Sequence, residues 1–471
     1  MKTGTALRRR LSAWFIAMVS PDRYAHFVLA VPEGERRRLA VGWFALGLVA
    51  LFGAGLLSIL LVLSRTPYLQ NFFPLADFFH VALVVHVDLS VLVWFIAFAG
   101  VLWTLNSTAR FIHLAQLALV LGLIGTGLML AAPFLGRGGA IMSNYVLVLE
   151  DPLFLSGLVV FGGGFTLLTL RSLLAPLRVG LPLDGGGALR FGLNTAAVSA
   201  AIAVMALVWS YQTIPAGYVG KQYYELLFWG SGHVVQFTWT LLMLVAWLWL
   251  GSLSGALIPL SPRVTVLLFA VGLVSVFVVP VIYLVWDVTS VEHMKMHVWL
   301  MRFGGGLAIL PLGLAVLVGL LRAAPADARV RPLRAALIVS MVLFSVGGAF
   351  GFLIQGSDVR IPAHYHGCIV GVTLAMMGLS YALLPHFGFA APRTGLAVAQ
   401  PYIYGAGQLL HIVGLVWSGG YGVQRKVAGS EQILRTPQEI AGMGLMGIGG
   451  LVAIVGGLLF LVVIYRARQR R

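Results

Sequence analysis

The chain is poor in charge and has almost no cysteine. Cys368 is the one cysteine in 471 residues. That excludes a disulfide framework, a C-x-x-C-H haem attachment and a cysteine metal cluster. Only 10% of the residues are charged, and 15 of them are acidic. The sequence therefore has no carboxylate-rich cluster suited to a hard cation. It also shows no repeat at solenoid periods and no linker long enough to separate two domains.

Apolar residues fill the space instead. They make up 60% of the chain, and mean hydropathy is +0.96, more apolar surface than a soluble domain can hide. A bilayer-spanning helix needs roughly 20 apolar residues. Such windows recur at 41–63, 81–105, 112–133, 153–170, 191–210, 226–251, 264–286, 298–321, 334–354, 367–385, 399–417 and 439–465. The expectation is an all-α integral membrane protein with about twelve transmembrane helices, since the windows are too long for barrel strands and each must satisfy its own backbone. Residues 1–39 read as a cytoplasmic amphipathic segment, 40–466 as the membrane domain and 467–471 as a basic tail. The stretch LRRRLSAWFIAMVSPDR imitates a signal peptide, but its apolar part is short and no A-x-A site follows.

Cations set the expected orientation. With the N-terminus inside, roughly 22 of the 31 Lys and Arg fall on that side, as the positive-inside rule asks. An even helix count returns the arginine-rich tail there, so both termini are expected in the cytoplasm of a bacterial-type cell membrane. A pI near 10.5 raises the question of nucleic acid, but the basic residues are dispersed over membrane-flanking loops. Topology accounts for them, and no nucleic-acid partner is expected.

Ionisable groups inside a membrane are costly and point to function. Six of the eleven histidines fall near the expected outer ends of helices. His86 lies two turns into the second window, in HVDLSVLVWF, and His233 lies in GSGHVVQFTW of the sixth. His293 and His297 lie in EHMKMHVWLMR, between the seventh and eighth windows. His364 and His366 open the tenth, in HYHGCIVGVT. On a helix, residues i and i+2 differ by about 200° in direction, so this last pair points to opposite flanks. The two cannot clasp one small ion, yet each can ligate a different planar cofactor. Neutral imidazole suits haem iron and copper alike, and two haems straddling one helix is the economical reading. His26, His80, His113, His386 and His411 are assigned to ordinary core histidines satisfied by a neighbour, and Cys368, the methionines and the tryptophans to packing.

These motifs, in this order, resemble the catalytic subunit of the haem–copper oxidase superfamily, which includes terminal oxygen reductases and nitric oxide reductases. The resemblance covers most of the chain. It implies a twelve-helix core, two haems of b type, one low-spin and one high-spin, and one copper ion. It implies His86 and His366 as axial ligands of the low-spin haem and His364 as the ligand of the high-spin haem. His233, after its glycine, would ligate copper, and Arg425 and Lys426 in GGYGVQRK would hold the haem propionates.

The departures from that pattern carry information. The family's adjacent histidine pair after the seventh helix is missing, and His293 and His297, one helical turn apart on one face, are the nearest substitutes. A different alignment sets Asp287 to Thr289 there and leaves copper short of ligands. Four residues after His233, where oxygen reductases often carry tyrosine and nitric oxide reductases glutamate, stands Phe237. The eighth window, LMRFGGGLAILPLGLAVLVGLL, has no lysine or threonine, which speaks against proton pumping. Glu150, Asp151 and Glu292 are candidates for proton delivery from outside, with ordinary loop charge as the plainer reading.

The resemblance therefore implies a respiratory-chain oxidoreductase reducing a small gas, dioxygen to water in the first instance and nitric oxide to nitrous oxide as the alternative. A dihaem electron carrier or gas sensor without copper is the rival of another class, and a solute transporter a further one. Lacking a covalent haem c and a cysteine pair for a binuclear copper centre, the chain would take electrons from a second subunit or a cytochrome c on its outer face.

Overall fold

In a computed structural model of the chain, the described residues are 25–72, 76–136, 138–354, 356–392 and 394–468. Most of the N-terminal amphipathic segment and the last three residues of the basic tail lie outside them. Helices dominate, and each forms where an apolar window was expected. They are α1 (Glu35–Leu63), α2 (Phe78–Leu105), α3 (Ile112–Leu135), α4 (Pro152–Leu174), α5 (Gly185–Thr213) and α6 (Gly220–Leu253). There follow α7 (Pro262–Val285), α8 (Val291–Leu321), α9 (Arg331–Gly351), α10 (Arg360–Leu383), α11 (Thr394–Gly419) and α12 (Pro437–Arg468). Eleven of these, all but α11, are long and apolar enough by composition to cross a membrane. The chain is thus an all-α, multi-pass membrane protein. Between α3 and α4 a short hairpin pairs β1 (Ala140–Ile141) with β2 (Val148–Leu149).

Local chemistry marks the helix ends. Asp151 caps α4 by accepting from the backbone N–H of Leu153 at 2.9 Å and of Phe154 at 3.2 Å, and Pro152 occupies the first helical position, where its missing N–H costs nothing. Ser261 caps α7 through Val264 N–H in the same way. Ser290 accepts from His293 N–H at 3.1 Å and so starts α8 at Val291. That corrects one expectation: His293 and His297 lie not between helices but in the first two turns of α8. The sixth helix likewise begins at Gly220 rather than 226, which places His233 deeper along it than the sequence window suggested.

Two of the long helices carry a π turn. In α2 it spans Asp88–Val93, starting two residues after His86, and in α8 it spans Leu300–Gly304, starting three residues after His297. A π turn admits an extra residue and rotates one part of a helix against the next. The histidine-bearing turn can then face a site while the remainder keeps its packing face.

Burial identifies the centre of the bundle. The most apolar stretch of α6 is 83% buried and that of α10 is 78%, against 28% for α1. The two central helices are those that carry His233 and the His364–His366 pair. Helices pack mainly as sequential neighbours, α3 along α4, α5 along α6, α9 along α10 and α11 along α12. Buried polar groups are satisfied across these contacts; Trp247 Nε1 donates to Ser340 Oγ at 2.8 Å, and that hydroxyl donates to Gly371 O at 2.6 Å.

Candidate functional site

His364 and His366 leave α10 on different flanks, as their spacing requires. His364 turns to α9, where its Nδ1 lies 2.8 Å from Gly347 O. The close approach is possible because glycines face each other. A Cβ built on Gly367 would lie 2.5 Å from Gly347 Cα, so any side chain would push the helices apart. His366 turns to α11, its ring 4.9 Å from that of His411 and stacked on Tyr365. His86, on α2, holds Nδ1 2.9 Å from Ala54 O of α1.

A carbonyl can only accept, so an Nδ1 bound to one must carry the proton. The lone pair then resides on Nε2, the state that suits a metal ligand. The same tether fixes His233 (to Trp229 O, 2.7 Å), His297 (to His293 O, 2.9 Å) and His411 (to Met446 O, 3.0 Å). His86, His364 and His366 also remain half-buried inside an apolar bundle, so space surrounds their rings. Partly open imidazoles on α2 and on both flanks of α10, those of His86 and His364 tethered, fit haem ligation.

The second group is tighter. The rings of His233 and His297 lie 5.9 Å apart, and those of His293 and His297 lie 4.6 Å apart. All three are almost fully buried. Neither ring nitrogen of His293 makes a hydrogen bond, nor does Nε2 of His297; the Trp286 carbonyl near His293 falls short of bonding geometry. Leaving a buried polar atom unpaired costs about 1–3 kcal/mol, and three such nitrogens in one cluster call for a partner. Imidazoles alone, without carboxylate, suit copper or another borderline-soft ion. Among the described residues, however, no three donors already converge on one point. At His233, Nε2 accepts from the Tyr145 hydroxyl at 2.7 Å. By donor type the three imidazoles fit a copper ion.

Tyr145 belongs to the α3–α4 loop and holds a left-handed φ of 68°. Its ring lies against Gly232, where a Cβ would overlap it. Burial, with the Glu225 charge adding to it, drives the phenol's pKa well above its usual value. A second phenol, Tyr283 of α7, sets its ring edge-on to His293 at 4.7 Å and to His297 at 5.7 Å. Its hydroxyl bonds to Ser210 Oγ and donates to Ala206 O. Neither tyrosine was picked out in the sequence, because each reaches the cluster from an element with no motif of its own. Phe237 is buried on α6, as its position implies.

The basic pair adjoins the same loop. Lys426 Nζ donates to Met142 O at 2.8 Å and Ser143 O at 3.0 Å, while Arg425 reaches Asn144 Oδ1 and Ser357 Oγ. Burial and then the neighbouring Arg425 lower Lys426 to about 8. A third cation, Arg65, follows α1 and donates to Gln432 Oε1 and Gln424 O; burial lowers it to about 10. Among the described residues none of the three forms an ion pair with a carboxylate. Three cations without anions, at the histidine end, fit the carboxylates of a haem. Arg65 carries no motif and was missed.

Other candidates fall elsewhere. Asp151 is committed to its cap, and Glu150 and Glu292 are exposed. Asp287 is exposed and accepts from Thr289 N–H and its hydroxyl, bonds that lower its pKa, so it organises the turn before α8. Cys368 lies beneath His364, Sγ 4.0 Å from Nδ1. Of the histidines assigned to the core, His26, His113 and His386 are surface residues. Each is polar enough to stay in contact with solvent or headgroups. His80 bonds to Lys426 O, and His411 joins the site by its contact with His366.

No family model matches the chain. An uncharacterised protein of Rickettsia prowazekii (strain Madrid E) is 28% identical over 501 residues, covering 92% of this chain and 96% of that one. An uncharacterised protein of Aquifex aeolicus (strain VF5) is 28% identical over 351 residues, 74% of this chain and 85% of its own. Among solved structures, a chain of a haem–copper terminal oxidase dimer, determined by cryo-EM, superposes with a TM-score of 0.71 at 17% identity. The match takes in 93% of this chain and 85% of that one. At that identity the likeness establishes the fold: this chain shares the fold of that oxidase chain.

Proposed function

We propose that the protein is the catalytic subunit of a haem–copper oxidase-like enzyme, reducing dioxygen to water in a bacterial cell membrane. One observation carries the reading. Imidazoles from α2, α6, α8 and α10 gather at one end of the bundle, most of them with Nδ1 spent on a carbonyl and Nε2 left for a metal.

His86 and His366 would hold a low-spin haem, His364 a high-spin haem on the far flank of α10, and His233, His293 and His297 a copper ion. When bound, these groups would supply electron transfer and gas binding. The chain's residues do the rest. The carbonyls of Ala54, Gly347 and Trp229 fix which nitrogen of His86, His364 and His233 faces the metal. Arg65, Arg425 and Lys426 would pair with haem carboxylates. The apolar walls of α6 and α10 exclude water from the reacting gas. The site lies at the end expected to be outside, so electrons would enter there from a second subunit or a cytochrome c.

Metal and pyridine-haemochrome analysis of the purified protein tests the reading, with two haems and one copper per chain as the expected result. Two haems without copper would instead indicate an electron carrier. Steady-state consumption of oxygen against nitric oxide by the assembled complex then identifies the substrate, with oxygen expected to be the faster.

A further inference from the structure

His366 differs from the other imidazoles of the site. His86, His233, His297, His364 and His411 each rest Nδ1 on a main-chain carbonyl. Among the described residues His366 makes no such bond, although a ligand histidine needs one to fix its tautomer and ring plane. Its neighbour supplies what is missing. His411, on α11, gives its Nδ1 proton to Met446 O at 3.0 Å, and its Nε2 therefore carries an unused lone pair. The two rings lie 4.9 Å apart at 57°. No hydrogen bond joins the two rings as they stand, but at this spacing a turn of the His366 ring can bring a nitrogen within hydrogen-bond range of His411 Nε2. His86 is close enough to His366 to interact with it electrostatically as well. His366 thus has His86 and His411 for neighbours.

We infer that His411 is a positioning residue for His366, accepting the Nδ1–H of that ligand on its own Nε2. The inference rests on the haem reading of His366 given above. A chain of donors then runs from His366 through His411 to the Met446 carbonyl of α12, so a helix that touches no cofactor fixes the ligand's orientation. An acceptor on a ligand's distal N–H also raises that ligand's basicity. It favours ferric over ferrous iron and lowers the reduction potential of the low-spin haem. His411 thereby holds the ring plane of His366.

The test uses the haem-loaded, full-length protein, with optical redox titration and low-temperature EPR of the low-spin haem. His411→Ala is expected to keep the haem and to shift its oxidised–reduced equilibrium towards the ferrous form by about tenfold, a rise of 59 mV for a one-electron couple. Its g values should change with the freed ring plane. His411→Gln, whose amide oxygen can accept the same proton, should restore most of the wild-type potential. The inference is overturned if potential and g values in His411→Ala match the wild type. It is also overturned if glutamine shifts the potential as far as alanine does, or if both variants lose the haem. His366→Ala distinguishes the two levels: a bis-imidazole low-spin spectrum surviving that change would show that the haem reading of His366 itself had failed.

Discussion

Two groups of histidines occupy the same end of one bundle, and they are built differently. The α10 pair and His86 stand apart on separate flanks, half-buried, each leaning on a neighbouring helix. The group of His233, His293 and His297 is dense and closed, with rings as near as 4.6 Å and nitrogens left unbonded. Rings set apart leave room for a flat cofactor between helices, whereas clustered rings can enclose only an ion. Residue type is the same in both groups, and spacing is what separates them.

Changes that break this contrast should have unequal effects. His233→Ala is expected to leave both haems and abolish copper binding and turnover, read by metal content and oxygen consumption; full copper retention would remove His233 from the site. His366→Ala should erase the low-spin haem spectrum and disturb the high-spin haem much less. Gly347→Val attacks the tether of His364 from behind, by forcing α9 off α10. Overpacking of this kind costs about 1–3 kcal/mol, and a selective loss of high-spin haem with a lower melting temperature is the expected outcome. Tyr145→Phe frees Nε2 of His233 from a hydrogen bond of about 1 kcal/mol. Copper affinity, measured by chelator competition, should rise about fivefold with no loss of fold.

The smallest effect concerns pH. Lys426 titrates near 8 in the folded haem-free protein against 10.5 for an unperturbed lysine. Between those values the unfolded chain binds the extra proton, so stability rises as pH increases through that window. Haem-free protein should therefore melt at a higher temperature at pH 10 than at pH 7, and Lys426→Met should flatten the slope. A haem carboxylate beside Lys426 would oppose the trend in the loaded protein.

The bundle was legible because apolar windows are long, and every expected span corresponds to a helix. The α10 pair was legible too, since two residues on a helix fix an angle wherever the helix lies. Helix ends were less so. The cap at Ser290 draws His293 and His297 into α8, and Gly220 starts α6 ahead of its apolar window, because caps override the hydropathy signal. Tyr145, Tyr283, Arg65 and His411 were invisible as site residues. Their partners lie on other helices, and no local pattern records a contact made only by tertiary packing. His411 shows this best, because one carbonyl bond satisfies it as an ordinary core histidine while its ring lies against His366.

The π turns after His86 and His297 have a consequence for how such a protein can change. Removing one residue from Asp88–Val93 or from Leu300–Gly304 would let the helix close to regular geometry and change the angle between the histidine-bearing turn and the rest of the helix. The lipid-facing and packing surfaces beyond the bulge would stay in place. A single codon lost or gained can thus disconnect a ligand or re-aim it, leaving the membrane scaffold untouched.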